Sequence, residues 1–351
     1  MRIEIEFTEI TVSKNFQYSI INIQLLYTLY LYNLTKRLSM NKNHTYNALV
    51  IESNIKLLEP FASDLTAFFE RGKTMSLFKK MPLKDDVETT KLRLSEGRYL
   101  LRPCGVDFKK NECNQLAMEL LDLLKTHLEG RERDLSDVAS AFVSEKITAY
   151  DILIKTFKNE GSEIRKEIRY HNLPEDLVTF FAIYLARPFR EQTAGYLLDG
   201  LEKLNWFCGY CPVCGHWSAL GHINLEEGHR TLWCLCCNTK WNFKRIQCAF
   251  CLNEDHGQLE IINPENEESY RIHVCKKCKR YLKEVRSNVE VKNFPFDKMY
   301  LGTLPLDIIA REGGYIQESM LTVRYENPDG NELLMYRQKE LKENCHSLNN
   351  V

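Results

Sequence analysis

The chain has 351 residues, 44% hydrophobic and 27% charged, with 47 basic and 48 acidic side chains. At about 150 residues per domain this length makes two or three folded units, and the composition excludes a disordered, collagenous or polytopic membrane protein. A formal net charge of −1 supplies no global field to hold nucleic-acid phosphates or an anionic membrane.

Residues 1–40 are read as an N-terminal extension. The stretch Ile20 to Leu34 is mostly apolar, but Asn22, Gln24, Thr28 and Asn33 interrupt it, and a bilayer span takes about 20 apolar residues. Glu4, Glu6 and Glu9 outnumber Arg2 and Lys14, the wrong sign for a signal peptide, and no A-x-A-like site follows. A cytoplasmic protein is expected. Better-patterned sequence begins after Met40, which makes Met40 a candidate initiator; a native N-terminal peptide from residues 1–39 would rule that out.

Residues 41–205 carry a helical pattern. Leu116, Leu120, Leu123, Leu124 and Leu128 recur at spacings of three and four, which predicts a helix over Asn114–Glu129. A second is expected over Asp137–Glu160, capped by Ser136 and stopped by Gly161. A third should begin near Pro174 with Asn172 as cap, be kinked or divided at Pro188, and continue to Leu204. Phe61–Glu70 reads as a short helix after Pro60, closed by Gly72. Such stripes signify core packing.

The pattern then breaks. Ten of the thirteen cysteines lie between Cys208 and Cys278. A disulfide scaffold spreads cysteines through a small secreted domain, whereas C-x2-C pairs bunched in one part of a long chain point to metal thiolates in a reducing compartment. Cys211–Cys214 and Cys234–Cys237 are 19 residues apart, and Cys248–Cys251 and Cys275–Cys278 are 23 apart. Each pair supplies half a tetrahedral site. Four pairs in order therefore predict two four-cysteine ribbons, over residues 206–241 and 242–288, holding two metal ions, iron or zinc. Structural zinc can supply on the order of 10–16 kcal/mol per ion to so small a core. Two closed sites leave no open coordination position, so their expected role is to hold the fold.

Cys208 extends the first pair to a C-x2-C-x2-C run like part of a ferredoxin motif, but its fourth cysteine is missing nearby. Cys236 offers Cys234 and Cys237 a competitor. His216, His222, His229, His256 and His273 lie in the same region as weaker ligand candidates. Short β-prone runs at Arg230–Trp233, Trp241–Ile246 and Tyr270–Val274 supply the strands. Residues 289–351 hold one expected helix around Leu304–Arg311, a turn at Asn327-Pro-Asp-Gly330 and a polar tail.

No P-loop, G-x-G-x-x-G or G-x-S-x-G is present, and nothing pairs a nucleophile with a base. No catalytic residue is assigned and no enzyme is expected. The basic run Arg271 to Arg286 suggests nucleic acid, yet residues 206–286 carry 11 basic and 9 acidic side chains. Eight thiolates with two divalent ions bring that formal +2 to about −2, against phosphate binding. Docking of a protein through exposed rings among Trp217, Trp233, Trp241 and Phe243 fits better, the alternative being that these rings pack around the metal sites.

Cys211-Pro-Val-Cys-Gly and Gly228-His-Arg-Thr-Leu-Trp-Cys-Leu-Cys-Cys-Asn-Thr-Lys-Trp241, with Tyr281-Leu-Lys283, Leu304-Pro-Leu-Asp307 and Glu312-Gly-Gly-Tyr315, resemble the formate dehydrogenase accessory (FdhE-type) family. The likeness covers about Tyr210–Tyr315; Ala186-Arg-Pro-Phe189 matches weakly. It implies an α+β protein, a helical N-terminal domain followed by two rubredoxin-like modules. It also implies a non-catalytic role in maturation of formate dehydrogenase, through contact with its molybdenum- or tungsten-containing catalytic subunit. The family's ligands carry over to Cys211, Cys214, Cys234, Cys237, Cys248, Cys251, Cys275 and Cys278. The first forty residues, the tail beyond Tyr315, Cys208 and Cys236 depart from the family pattern. A ribbon-type nucleic-acid binder and a rubredoxin-like redox protein are the alternative readings.

Overall fold

The computed structural model describes residues 48–317, apart from 103, 104, 159, 202, 203, 205 and 265–267. The N-terminal extension, Met40, Cys104, Cys345, the Asn327–Gly330 turn and the tail lie outside the described residues.

The first half is helical. α1 runs over Ala48–Thr74, with Pro60 inside it. It is far longer than the helix expected over Phe61–Glu70, and Gly72 does not end it. A Cβ on Gly72 would fall 2.5 Å from Pro188 Cβ, so glycine is required there by the close approach of a later helix. Phe61, Leu65, Phe68 and Phe69 are buried. A two-stranded ribbon of β1 (Phe78–Lys80) and β2 (Asp107–Phe108) flanks α2, Val87–Ser95. α3, Lys110–His127, buries the predicted leucine stripe at Leu116, Leu120 and Leu124.

The helix expected over Asp137–Glu160 is two helices, α4 (Glu132–Val143) and α5 (Ala149–Phe157). Glu145 takes a left-handed φ of 55° and breaks the first. The Thr148 side chain then accepts from Asp151 N at 3.0 Å, a cap that starts the second. Gly161 opens α6, Gly161–Tyr170, instead of closing a helix.

α7 spans Glu175–Leu198 without a break at Pro188 and ends at Asp199 rather than Leu204. Its N-cap is Pro174, while Asn172 sits at φ 52°, in the turn before it. Buried residues occupy every face from Leu177 to Glu191, as expected of a helix at the centre of a bundle.

The second half is a six-stranded sheet in the order β5-β4-β3-β8-β7-β6. β3 (Leu220–Asn224), β4 (Arg230–Trp233) and β5 (Lys240–Phe243) form one antiparallel meander. β6 (Leu259–Ile262), β7 (Tyr270–Cys275) and β8 (Arg280–Ser287) form the other. Parallel pairing of β3 with β8, Gly221 opposite Glu284, joins them. The strand expected over Trp241–Ile246 thus ends at Phe243.

The chain returns to the helical half through α8 (Phe296–Gly302) and α9 (Leu304–Glu312). Asn54 of α1 donates to Gly302 O at 2.8 Å. Ile51, Ile55, Ile272, Val274, Tyr281 and Leu306 form a second apolar cluster where the two halves meet. The fold is α+β.

Candidate metal centre

Four knuckles with one backbone plan build the centre. In each, the residue four beyond the first cysteine has a left-handed φ: Gly215 at 75°, and Asn238, Leu252 and Lys279 at 57°. In each, that residue's N–H returns to the first cysteine's carbonyl: Gly215 to Cys211 at 3.0 Å, Asn238 to Cys234 at 2.9 Å, Leu252 to Cys248 at 3.0 Å and Lys279 to Cys275 at 2.8 Å. A left-handed φ costs a non-glycine residue about 1–2 kcal/mol. Leu252 and Lys279 hold it because the turn directs two sulfurs to one point.

The knuckles meet in pairs, one pair at each meander. Cys211 Sγ lies 3.4 Å from Cys237 Sγ and Cys214 Sγ 3.5 Å from Cys234 Sγ. In the second group Cys248 Sγ is 3.6 Å from Cys278 Sγ and Cys251 Sγ 3.7 Å from Cys275 Sγ. A disulfide would hold its sulfurs at about 2.05 Å. A tetrahedron built on metal–sulfur bonds of about 2.3 Å has edges of about 3.8 Å, so each group fits one ion. Within each group all four sulfurs lie within 4.8 Å of one another. Burial pushes the Cys211, Cys214 and Cys234 thiols up, so thiolates there require a cation. Val213 N donates to Cys211 Sγ and Phe250 N to Cys248 Sγ, both at 3.4 Å. The first group is wholly buried; Cys251 and Cys278 leave the second half-buried at one side.

Cys208 and Cys236 are buried but lie outside both groups. Cys234 and Cys237, not Cys236, have their sulfurs within reach of Cys211 and Cys214. No histidine is in either group. His216 hydrogen-bonds Cys214 O at 3.2 Å through Nδ1, and His222 stacks 4.0 Å from Phe294. His229 and His256 are exposed.

Docking through exposed rings is not what the structure offers. Trp233, Trp241 and Phe243 are buried and only Trp217 is half-buried. They wall the centre: Trp241 donates to Cys208 O at 3.0 Å, Trp233 to Asn238 Oδ1 at 2.8 Å, and Trp217 lies 5.5 Å from Phe250. Four of the seven basic residues of the run have carboxylate partners. Arg271 pairs with Glu284, Lys276 with Glu260, Lys283 with Asp307 and Arg286 with Glu268.

Buried charges tie the centre to its surroundings, and sequence reasoning passed over most of them. Arg187 of α7 is bound by Glu191 and by both oxygens of Asp297, with Trp233 beside its guanidinium. Arg190, three residues on, lies 3.4 Å from His216 Nε2. Arg230 joins the two meanders through Glu284 at 2.9 Å. Lys283 donates to Asp307 Oδ2 and Tyr281 to Asp307 Oδ1, both at 2.8 Å. The only sequence signals were the Ala186–Phe189, Tyr281–Lys283 and Leu304–Asp307 motifs, which here prove to be contact points.

No family model matches the chain. An FdhE homolog of Aquifex aeolicus is 26% identical over 235 residues, 66% of this chain and 76% of that protein. FdhE of Escherichia coli is 32% identical over 114 residues, 32% of this chain and 36% of that protein. The crystal structure of FdhE from Pseudomonas aeruginosa superposes over 90% of this chain and 97% of that one, with a TM-score of 0.50 and 18% identity. The chain is similar to these FdhE proteins in sequence and in fold. That structural likeness speaks for the fold, and the Aquifex aeolicus match spans most of that FdhE homolog. Among the described residues no helix is long and apolar enough to cross a membrane.

Proposed function

We propose that the protein is a maturation factor for a formate dehydrogenase. It binds the molybdenum- or tungsten-containing catalytic subunit in the cytoplasm and carries out no catalysis of its own. The observation behind this reading is the pair of closed four-cysteine groups in a chain similar to FdhE proteins. Cys211, Cys214, Cys234 and Cys237 would hold one ion and Cys248, Cys251, Cys275 and Cys278 the other, iron or zinc. Four sulfurs fill a tetrahedron, so each ion would brace the sheet and leave no position for substrate. The pairing of much of the basic run with carboxylates weighs against nucleic acid.

The test is an anaerobic pull-down of the tagged protein from its native cells, read by mass spectrometry and absorbance at 260 nm. Enrichment of a formate dehydrogenase catalytic subunit, lost when a ribbon is disrupted, is the expected result. Nucleic acid without that subunit would overturn the reading.

A further inference from the structure

The second meander carries a cavity of about 340 Å³, outside both cysteine groups, between the β6–β7 hairpin and the segment after β5. Arg245, Ile246 and His256 line it from that segment, and Ile261, Arg271 and His273 from the sheet. Ile261 and His273 are directly opposite in the β6–β7 register. His273 is only 6% exposed and lines the cavity, and its ring makes no hydrogen bond among the described residues.

The charged groups are also incompletely used. Arg245 makes no ion pair among the described residues. Arg271 spends its Nε on Glu284 at 2.8 Å, and its terminal nitrogens have no acceptor among the described residues. The facing carboxylate, Glu260, is already paired with Lys276 at 3.0 Å. Ile246 and Ile261 are 54% and 40% exposed at the rim, an apolar fringe beside unfilled donors. Among the described residues β6 is an edge strand, hydrogen-bonded only to β7, so an extended chain can reach the cavity alongside it.

We infer that this cavity docks an acidic, aliphatic peptide segment of the partner protein, with a carboxylate received by Arg245, Arg271 and the His273 ring and aliphatic side chains laid on Ile246 and Ile261. Two isoleucines at the rim suit the aliphatic side chains of such a segment and not a run of phosphates, while Glu260 is held by Lys276. The partner's identity rests on the proposed function; the pocket and its peptide chemistry do not.

Two arms separate them. The first titrates the full-length, metal-loaded protein, labelled with ¹⁵N-histidine, with a short capped peptide alternating glutamate and isoleucine. His273 and His256 are expected to shift saturably. The glutamine–isoleucine peptide and the Arg245→Glu variant should each bind at least tenfold more weakly. No shift at millimolar peptide would overturn the pocket, and equal binding of the glutamine peptide would overturn its carboxylate chemistry. Shifts elicited by a single-stranded oligonucleotide instead would overturn the peptide class.

The second arm measures affinity for the formate dehydrogenase catalytic subunit. Arg245→Glu and Ile246→Asp, both at exposed positions, should weaken it at least tenfold with metal content and circular dichroism unchanged. Undiminished binding by both variants would overturn this pocket as the partner's dock. Failure of the wild-type protein to bind the subunit would sink the maturation reading, while the first arm still decides the pocket.

Discussion

His222 lies fully buried on β3, stacked on Phe294, with Nε2 3.0 Å from Ser287 Oγ and no partner for Nδ1 among the described residues. Burial pushes its pKa down to about 4 from 6.5. As pH falls the unfolded chain takes up the proton first, so the stability this ring contributes is complete above pH 6.5 and is lost on descent towards 4. By pH 5 the loss amounts to about 2 kcal/mol. Urea unfolding at pH 7 and pH 5 should show His222→Phe with a smaller pH dependence than wild type; an unchanged slope would mean that the ring stays solvated. Gly209 gives a steric counterpart. A Cβ there would lie 1.6 Å from Ala249 O, in the third knuckle. Gly209→Ala should therefore cost about 1–3 kcal/mol in a denaturant titration, whereas Gly195→Ala, with open space around it, should not.

Between elements the strongest fastening is electrostatic. Arg187 holds α7 to the start of α8 through Asp297 and lies against Trp233 of β4. Replacing it by methionine takes the guanidinium from the buried Glu191 and the half-buried Asp297 and should cost about 3–5 kcal/mol. A thermal melt of Arg187→Met within error of wild type would show that water reaches these groups. The same region shows what a sequence can and cannot say about elements. The leucine stripe of α3 and the four C-x2-C turns are local periodicities, and they appear where the spacing puts them. Gly72 looked like a helix end, because nothing local says that Pro188 packs on it. Glu145 hid a helix break, though Thr148 and Asp151, spaced as a cap, were there to signal the restart. Arg187, Glu284 and Asp307 were illegible as contacts, since their partners lie 110, 54 and 24 residues away.

At the scale of the molecule, two ribbons share one sheet, so neither ion is expected to act alone. Replacing Cys248 and Cys251 together by serine should release about one metal equivalent of two. It should also lower the unfolding midpoint of the first ribbon, which leans on β8 through β3. Metal analysis with tryptophan emission reads both, because all four tryptophans, Trp206, Trp217, Trp233 and Trp241, precede the second ribbon's first cysteine. An unshifted emission transition in the metal-depleted variant would mean that the ribbons fold independently. Charge reversal of Lys276 and Lys277, both exposed, should leave metal content and melting unchanged.

The parallel β3–β8 pairing also orders events during synthesis. Leu220–Asn224 leaves the ribosome some sixty residues before Arg280–Ser287, and at about 5–20 residues per second that is a delay of seconds. For that interval the first meander has its cysteines in hand and one flank of β3 bare, an open edge of the kind that recruits other chains. A nascent polypeptide is thus most exposed to mispairing just after its first ribbon can close. Supplying metal early would not shorten that wait, whereas holding the edge until residue 287 emerges would protect it.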